Sequence, residues 1–107
     1  MISKYDIIRA VEDEFNRIDI PEKKFHSDHE AWAVLLEEFE ELDLEADIIK
    51  HKVERLKEQI FSGLDSASKL TELDHIYEHA VLAAAKAVQV AAVATKFIKK
   101  KEQVAKQ

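Results

Sequence analysis

The chain contains few residues that interrupt regular structure and none that could cross-link it. Of its 107 residues, one is glycine, one is proline and none is cysteine. The absence of cysteine excludes disulfide bonds, thiolate catalysis and cysteine-ligated zinc. A single glycine, Gly63, excludes a glycine-rich phosphate loop. With one glycine and one proline, the chain can form few turns. Alanine, leucine, glutamate and lysine dominate the rest, so the composition predicts an all-α fold.

The charge balance is acidic, with 22 acidic and 16 basic residues and a net charge of −6. Binding to a nucleic-acid backbone needs a basic face, so we expect no nucleic-acid partner. An acidic balance suits a protein that carries divalent cations. The N-terminal segment has no apolar signal core, and no run approaches the roughly 20 apolar residues that span a bilayer. We therefore expect a cytoplasmic protein with no membrane partner.

The length fits one domain, residues 1–107, with 47% hydrophobic residues. A monomer of this size has limited apolar area to bury. We therefore expect an antiparallel helical bundle that assembles as a homodimer or homotetramer.

Two helices have clear start and stop signals. The first is predicted from Lys4 to Arg17, since Ser3 and Asp6 form a capping-box pattern and Pro21 disfavours helix before it. The second follows Ser27, three residues before Glu30, and runs to Phe61 before Gly63 ends it. At ~1.5 Å per residue such a helix is about 50 Å long, so we expect it to bend, break or pack in an oligomer.

A third helix is predicted to begin between Asp65 and Thr71, where Thr71 and Asp74 form one candidate cap, and to end near Lys100. Residues 102–107 are predicted to be a frayed tail. The stretch from Ala83 to Ala94 is almost wholly alanine and valine, which predicts a tight helix interface.

The second helix carries carboxylates where apolar residues are expected. At roughly 100° per residue, Glu38, Glu41 and Glu45 fall on one stripe, which they share with Val34, Leu42 and Ile49. Ionised carboxylates on a core-facing stripe are costly unless they are paired or bind a metal. Such i, i+3 and i+4 spacing lets their oxygens converge on Mg²⁺ or Mn²⁺. The alternative is that they pair with lysines such as Lys52 or line a solvated seam.

The segment around these glutamates, H-E-A-W-A-V-L-L-E-E-F-E-E-L from His29 to Leu42, resembles the first motif helix of MazG-like all-α nucleotide pyrophosphohydrolases. The later stretch from Ala87 to Ala94 is similar to a second helix of that family. The resemblance implies a Mg²⁺-dependent enzyme that cleaves a nucleoside triphosphate into a monophosphate and pyrophosphate. It implies that Mg²⁺ is bound by Glu38 and Glu41, with weaker candidates in Glu37 and Glu45.

The resemblance fails at the family's second acidic pair, because Lys86 and Gln89 stand where E-x-x-D is expected. Glu78 is a candidate replacement ligand, and Asp74 is a weaker one. Lys86 could instead neutralise the glutamates by a salt bridge, which would make the protein an inactive relative. The sequence thus leaves two functions open: a MazG-like pyrophosphohydrolase, or a non-enzymatic helical bundle used for self-association or partner binding.

Two further patterns are less specific. Lys50, Lys52 and Arg55 are candidate phosphate contacts, although a solvated position on the helix explains any one of them better. The sequence from His75 to His79, H-I-Y-E-H, matches the H-x-x-E-H pattern of some zinc peptidases. The chain is too short for a peptidase domain with a substrate cleft, so an incidental metal pair or packed histidines are the remaining interpretations.

Overall fold

The computed structural model describes residues 1–105, and every regular element within that range is a helix. Helix α1 spans Lys4–Ile18, a short 3-10 turn spans Pro21–Lys23, α2 spans Asp28–Phe61 and α3 spans Ser66–Ala105. The predicted all-α class is therefore confirmed.

The ends of α1 and α2 follow from local hydrogen bonds. Ser3 Oγ accepts the backbone N–H of Asp6 at 3.1 Å, and the Asp6 carboxylate accepts the backbone N–H of Ser3 at 3.2 Å, which completes the predicted capping box. Ser27 Oγ accepts the backbone N–H of Glu30 at 3.1 Å. Gly63 adopts a φ of 71°, the left-handed conformation expected where α2 ends.

Helix α3 begins at Ser66, within the predicted interval, but its cap and its C-terminal end differ from the prediction. Thr71 is not the cap, because its hydroxyl lies within the helix and donates to the carbonyl of Ala67 at 3.1 Å. Asp65 takes the capping role by accepting the backbone N–H of Ser68 at 2.8 Å. The predicted frayed tail from Glu102 is helical as far as Ala105, since good helix formers continue there without a breaker. The last part of that predicted tail, residues 106–107, lies outside the described residues.

The three helices form an elongated molecule with a small core. Helices α2 and α3 pack as an antiparallel hairpin, and α1 packs against α3. The molecule measures 65 × 28 × 21 Å. Helix α2 is continuous from Asp28 to Phe61, so the predicted break is absent. Phe25, Ala31 and Val93 form the buried core cluster. Partly buried side chains pack around it, namely Ile18, Val34, Leu35 and Phe97.

Helix α3 is more apolar than the sequence reading suggested. It contains an 18-residue window with a mean hydropathy of 1.6, of which 17% is buried inside the chain. By length and composition alone it could cross a membrane, although core helices of soluble proteins meet the same criterion. The expectation that no stretch is apolar enough was wrong, because alanines and valines raise the mean around isolated polar residues such as Lys86 and Gln89. The cytoplasmic location stays a prediction.

Candidate functional site

The predicted acidic stripe lies where α2 faces α3. Glu38, Glu41 and Glu45 are partly buried, as their positions on the helix predict, whereas Glu37 is exposed. Of the four candidate glutamates on this helix, the structure thus brings three to the seam between α2 and α3 and leaves Glu37 outside it.

Two of these glutamates are paired with cationic or hydrogen-bonding side chains of α3. Lys86 Nζ lies 2.7 Å from Glu41 Oε2, and this hydrogen bond raises the pKa of Lys86 above its usual value. His79 Nδ1 lies 2.6 Å from Glu45 Oε2, a distance at which a ring N–H donates to the carboxylate. The interpretation that Lys86 neutralises the glutamates therefore agrees with the structure.

Glu38 is placed differently. Its Oε2 atom is buried and has no hydrogen-bond partner. Burial raises the pKa of the Glu38 carboxyl above its ordinary value, and the nearby Glu41 carboxylate raises it further, while Lys86 opposes the shift. Glu38 therefore has one carboxylate oxygen without a hydrogen-bond partner, and the charge of Lys86 only partly offsets the cost of its burial.

Glu38 lies in the wall of a cleft of about 330 Å³ between α1, α2 and α3. Three cationic side chains, Arg17, Lys23 and Lys96, line the same cleft. Its remaining polar walls are Glu14, Glu30 and Gln89, and its apolar walls are Ile18, Phe25, Val34 and Val93.

A second cleft, of about 410 Å³, adjoins the first and shares Phe25 and Lys96 with it. This neighbour is rich in lysine, with Lys24, Lys96, Lys99 and Lys100 in its walls. The two clefts together form a surface with several lysines, and Glu38 lines only the first of them.

Lys96 forms the boundary between the two clefts. Its ammonium donates to the carbonyl of Lys23 and lies 4.2 Å from the centre of the Phe25 ring, a cation–π contact. Desolvation lowers the pKa of Lys96 below its usual value. A buried ammonium with only a carbonyl and a ring as partners can accept an additional anionic ligand.

The other predicted ligands lie elsewhere. Glu78 is exposed on α3, beside Tyr77, and Asp74 is exposed as well. Among residues 1–105, no group of three or more histidine, aspartate or glutamate side chains is placed to hold a metal ion. One chain therefore does not present a complete carboxylate ligand set, and metal binding by Glu38 and Glu41 stays a prediction.

The basic residues that the sequence suggested as phosphate contacts do not lie near Glu38. Lys52 and Arg55 lie 3.7 Å and 3.2 Å from the Glu72 carboxylate, about 20 Å along α2 from Glu38. The cations that line the cleft with Glu38 include Arg17 and Lys96 instead. No pattern in the sequence signalled them, because they come from α1 and α3 and converge only in the folded chain.

The histidine pair is not arranged for zinc. His79 is held by Glu45, while the Nδ1 atom of His75 is buried without a hydrogen-bond partner. Binding of a metal through Glu45 would also have to displace His79. Of the two interpretations that the sequence left, packed histidines fit this geometry better.

Comparison with protein-family models, curated proteins and solved structures finds no match for this chain.

Proposed function

We propose that this chain is a MazG-like helical bundle that binds a nucleoside triphosphate together with Mg²⁺ in the cleft beside Glu38. The observation that supports it is the buried, unpartnered oxygen of Glu38, a residue that lines a cleft together with cationic side chains. An unpaired buried carboxylate is costly, and a divalent cation would remove that cost. A cleft of about 330 Å³ falls within the usual range for small-molecule sites.

The residues divide naturally into two roles. Glu38 and Glu41 would hold the metal, with Mn²⁺ as a substitute for Mg²⁺, and the metal would polarise phosphate oxygens. Lys96, Lys23 and Arg17 would contact the negatively charged phosphates. Arg17 is already bonded to Glu14, with Arg17 Nε 3.0 Å from Glu14 Oε2, so its role requires that pair to loosen.

Lys86 limits the activity of this site. Its ammonium occupies the Glu41 carboxylate at 2.7 Å, where a second metal-binding oxygen is needed. We therefore propose that nucleotide and metal binding is retained and that turnover is slow or lost. Removing the ammonium should free Glu41 for the metal.

Calorimetric titration with Mg²⁺ and Mn²⁺ tests the metal site. Glu38→Gln and Glu41→Gln should each weaken binding, and Lys86→Ala should strengthen it. Glu37→Gln is the matched control, because Glu37 is on the same helix but exposed. Absence of binding in both the natural chain and Lys86→Ala contradicts the metal site.

Nucleotide chemistry needs a separate measurement. Pyrophosphate release should be followed with a panel of ribo- and deoxyribonucleoside triphosphates, with Lys96→Met tested beside the natural chain. If the natural chain binds a nucleotide and Lys96→Met does not, the result supports nucleotide binding in the cleft, whether or not the nucleotide is turned over. Binding unaffected by both Lys96→Met and Glu38→Gln places the nucleotide elsewhere.

A second function is favoured by the pairs in the seam. Lys86 with Glu41 and His79 with Glu45 satisfy two of the acidic side chains without a metal. The chain would then be a non-enzymatic helical bundle used for self-association or partner binding. Failure of Lys86→Ala to bind any divalent cation would favour this function over the first.

A further inference from the structure

Helix α2 carries a second apolar stripe, which overlaps the α3-facing stripe at Leu42 and Ile49 and extends round the helix to exposed positions. Apolar residues recur at alternating spacings of three and four from Trp32, through Leu35, Phe39 and Leu42, to Ile60. All nine positions in this series are apolar. Such a repeat is the a/d heptad pattern of a helix that packs against another helix. Trp32 and Phe39 nevertheless remain 59% and 50% exposed.

Helix α3 has the same repeat. It begins at Leu70, Leu73 and Tyr77, continues through the alanines of the helix and ends at Ile98, again with nine apolar positions. Leu70 is 58% exposed, Tyr77 70% and Ile98 56%. The pattern of α3 therefore also indicates packing against a further helix, and no helix of the same chain covers this stripe within residues 1–105.

The two stripes lie on one face of the hairpin. On each helix, the centre of the stripe is rotated about the helix axis away from the side that faces the other helix. The rotation is roughly a quarter-turn or more, and it goes in the direction in which the residue number increases. Because the helices are antiparallel, equal rotations bring both stripes to the same side. Helix α1 packs on the other side, where it contacts Ala85 and Gln89. The face formed by the two stripes is called the heptad face below.

We propose that the heptad face is covered by a second copy of this chain, in a dimer whose two-fold axis runs parallel to the helices. Each α2 then lies antiparallel on the partner's α3, and four helices enclose one apolar layer. The dimer does not depend on the nucleotide site, which opens on the side of α1.

The sizes of the side chains favour this arrangement. Within the hairpin, Glu41 lies beside Lys86, so Phe39 is level with the alanines near Ala87. Glu45 lies beside His79, so Ala46 is level with Tyr77. In the proposed dimer, the large residues of α2 therefore meet small residues of the partner's α3, and the small Ala46 meets the partner's Tyr77. Alternation of large and small residues lets the two layers interdigitate.

Charge at the rim is also complementary. Lys50 and Asp74 flank the two stripes at equivalent positions of the repeat, and both are exposed. Since Glu72 lies beside Lys52 within one chain, Lys50 and Asp74 are at the same level. The proposed two-fold axis therefore sets Lys50 of each copy next to the partner's Asp74.

The available area matches a stable dimer. The stripes extend about 40 Å along helices that are about 10 Å wide, so the two-helix face offers roughly 800 Å² per copy. This is the area that a standard-size protein interface buries on each partner. A membrane fits the face less well, because the α2 stripe is bordered by charged residues such as Asp43, Lys50 and Lys57.

Sedimentation equilibrium of the full chain tests the proposal. The natural chain should sediment as a dimer, and Phe39→Glu should raise its dissociation constant by at least about 100-fold, because a carboxylate would enter the apolar layer. Leu44→Glu is the matched control, since Leu44 is on the same helix and 59% exposed but lies off the heptad face. It should leave the dimer intact. Circular dichroism of both variants checks that the helices are retained.

The charges test the arrangement of the two copies. Lys50→Asp and Asp74→Lys should each weaken the dimer, and the double variant should restore it. A monomeric natural chain, a dimer that survives Phe39→Glu, or a double variant no better than the single ones would overturn the proposal. So would binding of a monomeric natural chain to phosphatidylcholine vesicles, since the covering surface would then be lipid.

Discussion

The two ends of this molecule are held together in different ways. Among residues 1–105, the buried hydrophobic residues all lie at the end where α1 packs, namely Phe15, Phe25, Ala31, Ala92 and Val93. Toward the α2–α3 turn, the buried residues are Gln59 and Glu72, which are polar. Where three helices meet, apolar side chains are enclosed. Where only two meet, each helix has one covered side, and large apolar residues such as Leu70 and Phe61 stay exposed.

The comparison shows what a third helix contributes. Near α1, Phe15 and Phe25 close the core and carry lysines on their outer faces: Lys99 Nζ lies 4.7 Å from the Phe15 ring centre. At the other end, Arg55 and Lys52 gather around Glu72 instead of an apolar cluster. The two clefts beside Lys96 border the three-helix end, where residues from more than two elements line them.

The largest expected effect on stability comes from replacing a phenylalanine by alanine at each end of the molecule. Phe25→Ala should lower the free energy of unfolding by about 3–5 kcal/mol, because it removes a buried ring and leaves a cavity. Phe61→Ala, at the turn end, should change it by less than about 0.5 kcal/mol, since Phe61 is 80% exposed. Urea denaturation at one fixed protein concentration measures both. Equal effects would mean that the two ends are packed alike.

The next prediction concerns the polar residue buried at the turn end. Glu72 is 4% exposed, and its Oε2 atom has no hydrogen-bond partner. Glu72→Met keeps the volume and removes the desolvated charge, so stability should be unchanged or rise by about 1–4 kcal/mol. Arg55 remains solvated without its partner, because 64% of its side chain is exposed. A clear loss of stability in thermal unfolding would show that the ion pairs stabilise this end.

Substitution of Gly63 in the turn between α2 and α3 should have a smaller effect on the free energy of unfolding. Gly63→Ala is expected to destabilise the chain by about 1 kcal/mol, because alanine is strained at a φ of 71°. No atom lies within 4 Å of the position that the new Cβ would occupy, so the cost is conformational and not steric. Gly63→Asn should cost less, since asparagine tolerates this conformation better. The same denaturation measurement would rank the three proteins.

The smallest effect is a pH dependence at the three-helix end. The folded-state pKa of Glu38 lies above its unfolded value, so the folded chain binds more protons between the two values. Stability from this group should therefore fall as the pH rises through that window and stay lower above it. Glu38→Gln should remove this slope and raise stability at neutral pH by less than about 1 kcal/mol.

The control for that measurement is Glu37→Gln, because Glu37 is exposed on the same helix. Its unfolding profile should keep most of the slope of the natural chain, because the charge of Glu37 raises the pKa of Glu38 less than burial and Glu41 do. A slope that persists in Glu38→Gln would assign the pH dependence to other groups.

Most of the helices could be predicted from the sequence because their end signals are local. Ser3, Ser27 and Gly63 act within four residues along the chain, and each acts as predicted. The start of α3 was less certain because Asp65 and Thr71 both match a cap, and only the hydrogen bonds decide between them.

The site was only partly predictable, for a related reason. The i, i+3 and i+4 spacing places Glu38, Glu41 and Glu45 on one side of α2, and that follows from helix geometry alone. The residues that meet them come from other helices. Lys86 was foreseen as a salt-bridge partner, whereas the Glu45–His79 contact and the approach of Lys96 depend on how the helices pack.

The sequence by itself determined that this protein is helical, where α1 and α2 begin and end, and that acidic side chains share one stripe of α2. These depend on backbone conformation and on a fixed period, both of which act over a few residues. The tertiary structure alone decided that Glu41 and Glu45 are paired while Glu38 is not, and that Lys96 closes a cleft beside it. It also decided that the two heptad stripes lie on one face. Those outcomes depend on the relative level and rotation of helices distant in sequence, which are set by packing.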